Sequence, residues 1–365
     1  MASSAAVSSL RRIAFLLERA REPTYRVQAF RRAAATVERM SESELELRLR
    51  EGTLRRLPGI GEVTATAIAE AHAGEVPVYL RRLEAIGGRS VAEGGADLRA
   101  ALRGDCHTHS DWSDGGSPIL EMAREARDLG HEYIVLTDHS PRLTIANGLS
   151  AQRLRDQLEV VAQLNVELAP FRILTGIEVD ILEDGSLDQD PELLDALDIV
   201  VASVHSKLRM PGDVMTPRMV AAIANPHMDI LGHCTGRLVV GRGRPPSEFD
   251  AEVVFEACRR FDVAVEVNSR PERLDPPKRL LRLAVEAGCR ISIDTDAHAP
   301  GQLDWQGYGC ERAAACGVGP EAVINTRSAA ELIEWSRGRV GSRPPGRPSA
   351  DSPRRGHGAI HEPLI

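Results

Sequence analysis

The chain has 365 residues, 42% of them hydrophobic, and a formal net charge of −8. That length accommodates one large domain and a small one, and that apolar content builds a core, which excludes disorder of the whole chain. The acidic balance excludes an indiscriminate nucleic-acid binder but hides an asymmetry: residues 1–84 hold fourteen Arg against eleven Glu and no Asp, a net of +3, leaving −11 for the remainder.

Residues 1–84 place apolar side chains at helical spacing, as in Phe30, Ala33, Ala34 and Val37, and contain no period-2 run, so an all-helical module is predicted. The stretch from Met1 to Arg21 is interrupted by Arg11 and Arg12 and has no small-residue cleavage site; it reads as an amphipathic first helix, not a signal peptide. Leu57-Pro58-Gly59-Ile60-Gly61, followed by the helical Glu62-Val63-Thr64-Ala65-Thr66-Ala67-Ile68-Ala69, has the form of a helix-hairpin-helix. Glycines there let main-chain N–H groups approach a phosphate at a helix N-terminus, so Gly59, Ile60 and Gly61 are the predicted contacts to a DNA backbone. The competing reading is a turn with a purely structural role. Residues 85–103, with Gly87-Gly88-Arg89-Ser90 and Gly94-Gly95, are predicted to be a linker.

From residue 104 to 340, short apolar runs alternate with helical segments, the pattern of a parallel sheet wrapped by helices. The runs are a first strand just before His107, then Tyr133-Ile134-Val135-Leu136, Ile173-Leu174, Ile199-Val200-Val201-Ala202, Asp229-Ile230-Leu231, Val263-Ala264-Val265-Glu266-Val267 and Ile291-Ser292-Ile293. All but the sixth end in a histidine or a carboxylate: His107, His139, Glu178, His205, His233 and Asp296. In parallel α/β barrels chemistry sits at the C-terminal ends of the strands, so these positions converge on one mouth. Residues 341–365, rich in Pro, Arg, Gly and Ser, are predicted to be disordered.

Residues two apart on a strand share a face, which predicts His107 and His109 pointing inward while Cys106 and Thr108 point away. The same alternation groups Glu178 with Asp180, and Asp294 with Asp296 and His298. Six of the eleven histidines and three carboxylates form the candidate set: His107, His109, Asp114, His139, Glu178, His205, His233, Asp296 and His298. Nine ligands supply about three per ion for three divalent cations, and zinc, manganese or iron accept these donor types. Bridged by such cations, water loses its proton near neutral pH and becomes a nucleophile toward phosphorus. Glu178 and Asp296 are thereby the expected catalytic carboxylates. Arg237 and Arg270, just past the fifth and sixth strands, are candidates to clamp a phosphate, with solvated loop arginines as the alternative. Asp105, Asp138 and Asp294 adjoin ligands and are expected to orient imidazoles. His72, His131, His227, His357 and His361 have no ligand partner nearby in sequence and are set aside.

Around these ligands the sequence reads His107-Thr108-His109-Ser110, Trp112-Ser113-Asp114-Gly115, Thr137-Asp138-His139-Ser140, Gly176-Ile177-Glu178-Val179-Asp180, Ser203-Val204-His205-Ser206, Gly232-His233-Cys234-Thr235-Gly236-Arg237 and Thr295-Asp296-Ala297-His298. These resemble the successive motifs of the polymerase-and-histidinol-phosphatase (PHP) family, most closely the C-terminal PHP domain of bacterial family X DNA polymerases. The resemblance covers about residues 104–340, with Cys234 where relatives often have Pro. It implies a distorted seven-stranded (β/α) barrel of PHP type after a small all-α helix-hairpin-helix domain. It also implies one ion on His107, His109, Glu178 and Asp296, a second on Glu178, His205 and His233, and a third on Asp114, His139 and His298.

The N-terminal segment, including Tyr25-Arg26-Val27-Gln28-Ala29-Phe30-Arg31-Arg32-Ala33-Ala34, is similar to the small first domain of the same polymerases. Fewer than 20 residues separate Ala85 from Gly104, too few for a polymerase palm, so no polymerisation is expected. The first lysine is Lys207, which excludes a lysine Schiff-base lyase in the helical module. The expected activity is a metal-dependent phosphoesterase directed at DNA, a 3′–5′ exonuclease or repair endonuclease. A small-molecule phosphomonoesterase of the histidinol-phosphatase type is the alternative. Six scattered cysteines without a CxxC pair, and no apolar run near the roughly 20 residues that span a bilayer, predict a cytoplasmic protein free of the membrane.

Overall fold

The computed structural model describes residues 2–87 and 91–339, with side chains from Ala5 onward. The tail predicted to be disordered, 341–365, lies outside the described residues. The helical module consists of α1 (Ala2–Arg19), α2 (Thr24–Glu38), α3 (Glu42–Arg50), α4 (Glu62–His72) and α5 (Val78–Gly87). On α1 the residues Leu10, Ile13, Ala14 and Leu17 recur at helical spacing and are wholly buried, against Phe30, Ala33, Ala34 and Val37 of α2. Each large apolar side chain so buried contributes roughly 1.5–3 kcal/mol. Ser41 caps α3 by accepting the N–H of Glu44.

The predicted linker contains a short helix, α6 (Ala96–Ala101). Leu98 and Leu102 are buried in the main core of the barrel, and Arg103 N donates to Asn325 O at 2.9 Å. Gly95 has φ +75°, and a Cβ there would stand 2.5 Å from the carbonyl oxygen of Cys310. This part of the connection is therefore fastened to the barrel.

Seven parallel strands follow in sequence order: β1 (Gly104–Thr108), β2 (Tyr133–Leu136), β3 (Arg172–Asp180), β4 (Ile199–Ser203), β5 (Ile230–Leu231), β6 (Ala264–Asn268) and β7 (Ile291–Asp294). The crossovers carry α7 (Ile119–Asp128), α8 (Ala151–Leu168), α9 (Pro191–Asp195), α10 (Gly212–Ile223), α11 (Ala251–Phe261) and α12 (Lys278–Glu286). After β7 come a 3-10 turn (Pro300–Trp305), α13 (Gln306–Ala314) and α14 (Ala329–Gly338). A bridge between Thr108 and Ala297, with His109 N donating to Ala297 O at 2.8 Å, brings the end of β7 onto β1 and nearly closes the barrel.

Alternate residues Tyr133, Val135, Leu174, Ile199, Val201, Ile230 and Ala264 fill the interior, and Ile324 and Leu332 close its lower end. Intervening residues such as Ile177, Val179, Val200 and Val265 face the surrounding helices. Cys106 belongs to the interior cluster, contrary to the expectation that it points away from His107. The reason is local: the β1–β2 register shifts between Asp105 and Thr108. A bulge adds one residue and resets the alternation, so Cys106 fills the barrel below while His107 and His109 point into the mouth above.

Candidate metal centre

All nine predicted ligands meet at the C-terminal end of the barrel around the carboxylate of Glu178, on β3. Its Oε1 lies 2.9 Å from His233 Nε2 and 3.3 Å from His205 Nε2. Its Oε2 lies 2.9 Å from His139 Nδ1, 3.4 Å from His107 Nε2 and 3.7 Å from His109 Nε2. Asp296 faces it, with Oδ1 3.3 Å from His109 Nε2. Asp114 stands at the lip, its Oδ1 3.2 Å from His298 Nε2 and 3.5 Å from His139 Nε2. Exposure grades across the set: His107, His109 and Glu178 have fully buried side chains, whereas the Asp114 side chain is 36% exposed. The cluster is thus open to solvent on the Asp114 side.

One donor atom from each residue lies within 4.8 Å of the others in three groups: His109, Asp114, His139 and His298; His107, His109 and Glu178; and His139, Glu178 and His205. This grouping differs from the implied partition at His109, which also joins Asp114, at His139, which reaches Glu178 as well as Asp114, and in leaving out Asp296 and His233. Asp296 has φ +53°. The left-handed region costs a non-glycine residue about 1–2 kcal/mol and is kept where function over-determines the backbone.

Ligand orientation comes from residues other than those predicted. Nδ1 of His107 donates to Glu266 Oε1 at 2.7 Å, and Nδ1 of His205 donates to Asp180. Both contacts leave Nε2 free to face the cluster. Nδ1 of His298 donates to Asp296 O at 2.8 Å with the same effect. Asp105, Asp138 and Asp294 touch no imidazole; they brace the backbone. Asp105 accepts the His107 main-chain N–H at 3.1 Å and the Thr295 hydroxyl. Asp138 gathers Ser110, Ser113 and Gln157, and Asp294 accepts the Cys106 N–H at 2.8 Å.

The predicted arginines separate. Arg270 Nη1 lies 3.1 Å from His298 Nδ1 and 3.7 Å from Asp296 Oδ1, at the edge of the cluster. Arg237 instead spends its guanidinium on main-chain carbonyls, donating from Nε to Arg273 O at 3.0 Å and from Nη2 to Leu274 O. It holds the β6–α12 loop and does not reach the ligands through these bonds. Arg273, which sequence reading passed over, lies 3.1 Å from Asp296 Oδ2.

Burial opposes ionisation of Glu178, but His205, His107 and His139 outweigh it and hold the carboxyl well below its ordinary range. Asp296 is likewise held low against burial by His109, Arg270 and Arg273. Burial, aided by His298 and His139, keeps His109 neutral. Burial also lowers His205, but Glu178 and Asp180 outweigh it and bring it to about 9; a cation taking Nε2 displaces that proton.

The fit of these residues to cations is read from their unsatisfied atoms. His107 Nε2, both ring nitrogens of His109, His139 Nδ1 and both oxygens of Glu178 are buried without a hydrogen bond. Each such atom costs roughly 1–3 kcal/mol, and native interiors tolerate few. Six in one cluster, all of them imidazole nitrogens or carboxylate oxygens, form the donor set of divalent ions held by His and carboxylate.

In the helical module, Gly59 takes φ +82° in the turn before α4 and Gly61 is the N-cap of that helix. Gly59 and Gly61 are exposed, whereas Ile60 is buried in the module core. The Gly61 N–H is already donated to Thr64 Oγ1 at 2.9 Å.

A helix-hairpin-helix domain model matches residues 1–75 and a PHP domain model matches residues 105–269. Asp296 and His298 lie beyond that match, yet the fold brings them to the cluster. The chain is similar to the DNA polymerase/3′-5′ exonuclease PolX of Bacillus subtilis (strain 168), 43% identical over 62% of this chain. It spans only 40% of that relative's length. It is 33% identical to a "probable phosphatase" of Thermoanaerobacter sp. (strain X514), over 53% of this chain and 78% of that protein. Among solved structures, the histidinol phosphate phosphatase of Lactococcus lactis, complexed with zinc, L-histidinol and phosphate, matches with a TM-score of 0.41 at 18% identity, over 59% of this chain and 92% of that one. Among the described residues no helix is long and apolar enough to cross a membrane. With its barrel, its divalent-metal donor set and its relatives in agreement, the chain belongs to the PHP family and is a phosphoester hydrolase carrying a helix-hairpin-helix domain at its N-terminus.

Proposed function

We propose that this protein is a DNA-directed phosphodiesterase, a 3′–5′ exonuclease or repair endonuclease, that works with three divalent ions. His107, His109, Glu178 and Asp296 would hold the first, Glu178, His205 and His233 the second, and Asp114, His139 and His298 the third, with Glu178 bridging. The bound ions would activate water and offset charge on the phosphoryl group. Glu266, Asp180 and the Asp296 carbonyl keep the imidazole tautomers fixed. Arg270, at the cluster edge, receives a phosphoryl oxygen. Asp114 and His298 border the entrance through which the ester arrives.

The observation that carries the DNA reading is the pairing, in one chain, of this cluster with a helix-hairpin-helix whose turn is exposed. With fewer than 20 residues between Ala85 and Gly104, no nucleotidyl transfer is proposed. A second reading, a small-molecule phosphomonoesterase, is favoured by the phosphatase relative, 78% of whose length this chain covers. A fluorescent single-stranded or gapped oligonucleotide and a chromogenic phosphate monoester, each incubated with Mn²⁺ or Zn²⁺ and with wild-type or His107→Ala protein, separate the two. Oligonucleotide cleavage that vanishes in His107→Ala supports the DNA reading. Hydrolysis of the monoester alone rejects it in favour of the second.

A further inference from the structure

The helical module does more than lie beside the barrel: it touches the segment that holds His298 and the loop that holds Arg270. The last turn of α1 packs on the 3-10 turn Pro300–Trp305. Gly301 N donates to Glu18 Oε2 at 2.9 Å and Trp305 Nε1 donates to Arg19 O at 3.0 Å. Arg19 Nε lies 2.7 Å from Asp304 Oδ2. Glu18 is buried, and Arg31 of α2 grips both its oxygens at 2.7 Å. The approach is close enough that a Cβ on Gly301 would stand 2.3 Å from Phe15 O. The same 3-10 turn reaches the site, because His298 N donates to Gln302 Oε1 at 2.8 Å.

A second route runs through side chains. Arg21, just after α1, lies with Nε 2.8 Å from Glu272 Oε1. The other oxygen of Glu272 lies 3.7 Å from Arg270 Nε, and Arg270 Nη1 donates at 3.4 Å to the Asp296 carbonyl that also accepts from His298 Nδ1, and lies 3.7 Å from Asp296 Oδ1. Glu272 is also pinned by its own carbonyl, which accepts the N–H of Val239 at 2.7 Å. The two routes begin three residues apart on the helical module and converge on His298.

We propose that the end of α1 is a positioning element of the hydrolytic site: Glu18, through Gly301, and Arg21, through Glu272 and Arg270, fix His298 at the lip. The module therefore contributes to turnover of any ester, including one too small to touch the helix-hairpin-helix turn. This rests on the cluster being the hydrolytic site, but it makes a claim about metal retention that needs no turnover to be read.

The test uses full-length Arg21→Ala, Arg21→Lys and Glu18→Gln proteins beside wild type. Metal retained per chain is measured by elemental analysis during challenge with a chelator, and kcat and KM are measured on bis(p-nitrophenyl) phosphate and p-nitrophenyl phosphate. Arg21 is on the surface, so its replacement leaves the fold in place, and a melting curve checks Glu18→Gln. Arg21→Ala is expected to lose its most weakly held metal equivalent sooner than wild type and to lower kcat up to roughly 5-fold, the scale of a partly exposed ion pair, with KM little changed. Arg21→Lys restores both, and Glu18→Gln loses more of each. Wild-type metal retention in Arg21→Ala and in a folded Glu18→Gln overturns the proposal. If wild-type protein hydrolyses neither these esters nor DNA, the hydrolytic reading fails, while the retention comparison still decides whether α1 positions the ligands.

Discussion

Glu266 Oε1 stands 2.7 Å from Nδ1 of His107, and Glu266 Oε2 accepts the main-chain N–H of His233. One carboxylate on β6 therefore sets the tautomer of one ligand and the backbone position of another. Glu266→Ala is expected to lower metal affinity roughly 10- to 100-fold, as removal of such outer partners does. Equilibrium dialysis against a metal buffer measures this; unchanged affinity removes Glu266 from the centre.

Arg270 and Arg237 should part company on mutation. Loss of a charge-assisted bond to a phosphoryl oxygen costs about 1.5–3 kcal/mol, so Arg270→Ala should lower kcat/KM roughly 10- to 100-fold with little change in melting temperature. Arg237 donates to the carbonyls of Arg273 and Leu274. Arg237→Ala should lower stability by about 1–3 kcal/mol and leave more of kcat than Arg270→Ala does. Steady-state kinetics beside thermal melts distinguish the pair, and the reverse pattern would reassign the clamp to Arg237.

A backbone-directed DNA contact is salt-dependent. Raising salt from about 50 to about 200 mM should weaken oligonucleotide cleavage at least several-fold by raising KM, while a small ester responds far less. Gly59→Ala, which forces a side chain into φ +82° with its Cβ 3.2 Å from Arg32 Cβ, should raise KM for the oligonucleotide further. Equal salt responses for both substrates would argue against a strand-binding module.

Glu125 lines a cleft of about 730 Å³ between the helical module and α7. Burial raises its pKa from 4.5 to about 7, with Asp128 adding to the rise and Arg12 and Arg31 opposing it. A carboxyl raised in the folded state is favoured there as the neutral acid, so its contribution is fully present below pH 4.5 and is lost as pH rises to about 7. Glu125→Gln should flatten this part of the stability–pH curve and raise stability above pH 7, read by chemical denaturation at several pH values. A wild-type slope in the variant would show that other groups set it.

Most of the centre was legible because its ligands sit at strand ends, where a polar residue closing an apolar run stands out. His107, His139, Glu178, His205 and His233 are of this kind. What escaped were groups whose meaning is three-dimensional. Glu266 lies inside a strand run and reads as an interruption, although a carboxylate alternating inward between Ala264 and Asn268 was the available signal. The bulge in β1 turned Cys106 inward, and strict alternation has no way to register an extra residue. Arg237 and Arg273 are close in space and similar in sequence context, and only the carbonyls of the β6–α12 loop assign one to holding the loop and the other to Asp296. The fastening of α1 to Gly301 joins residues 283 apart and left no local mark.

The most direct test strips wild-type and Glu178→Gln proteins with a chelator, then titrates Mn²⁺ or Zn²⁺ back while bound metal and hydrolysis of a labelled oligonucleotide and a phosphate monoester are followed together. Glu178 lies within 3.7 Å of five imidazoles, so the wild type should recover phosphoester hydrolysis in step with metal uptake, and Glu178→Gln should take up less metal and lose about 100- to 1000-fold in rate, of the order expected for a removed element of electrostatic catalysis. Hydrolysis by the stripped wild type, or metal-restored activity equal in Glu178→Gln, would contradict a hydrolytic centre built on this carboxylate.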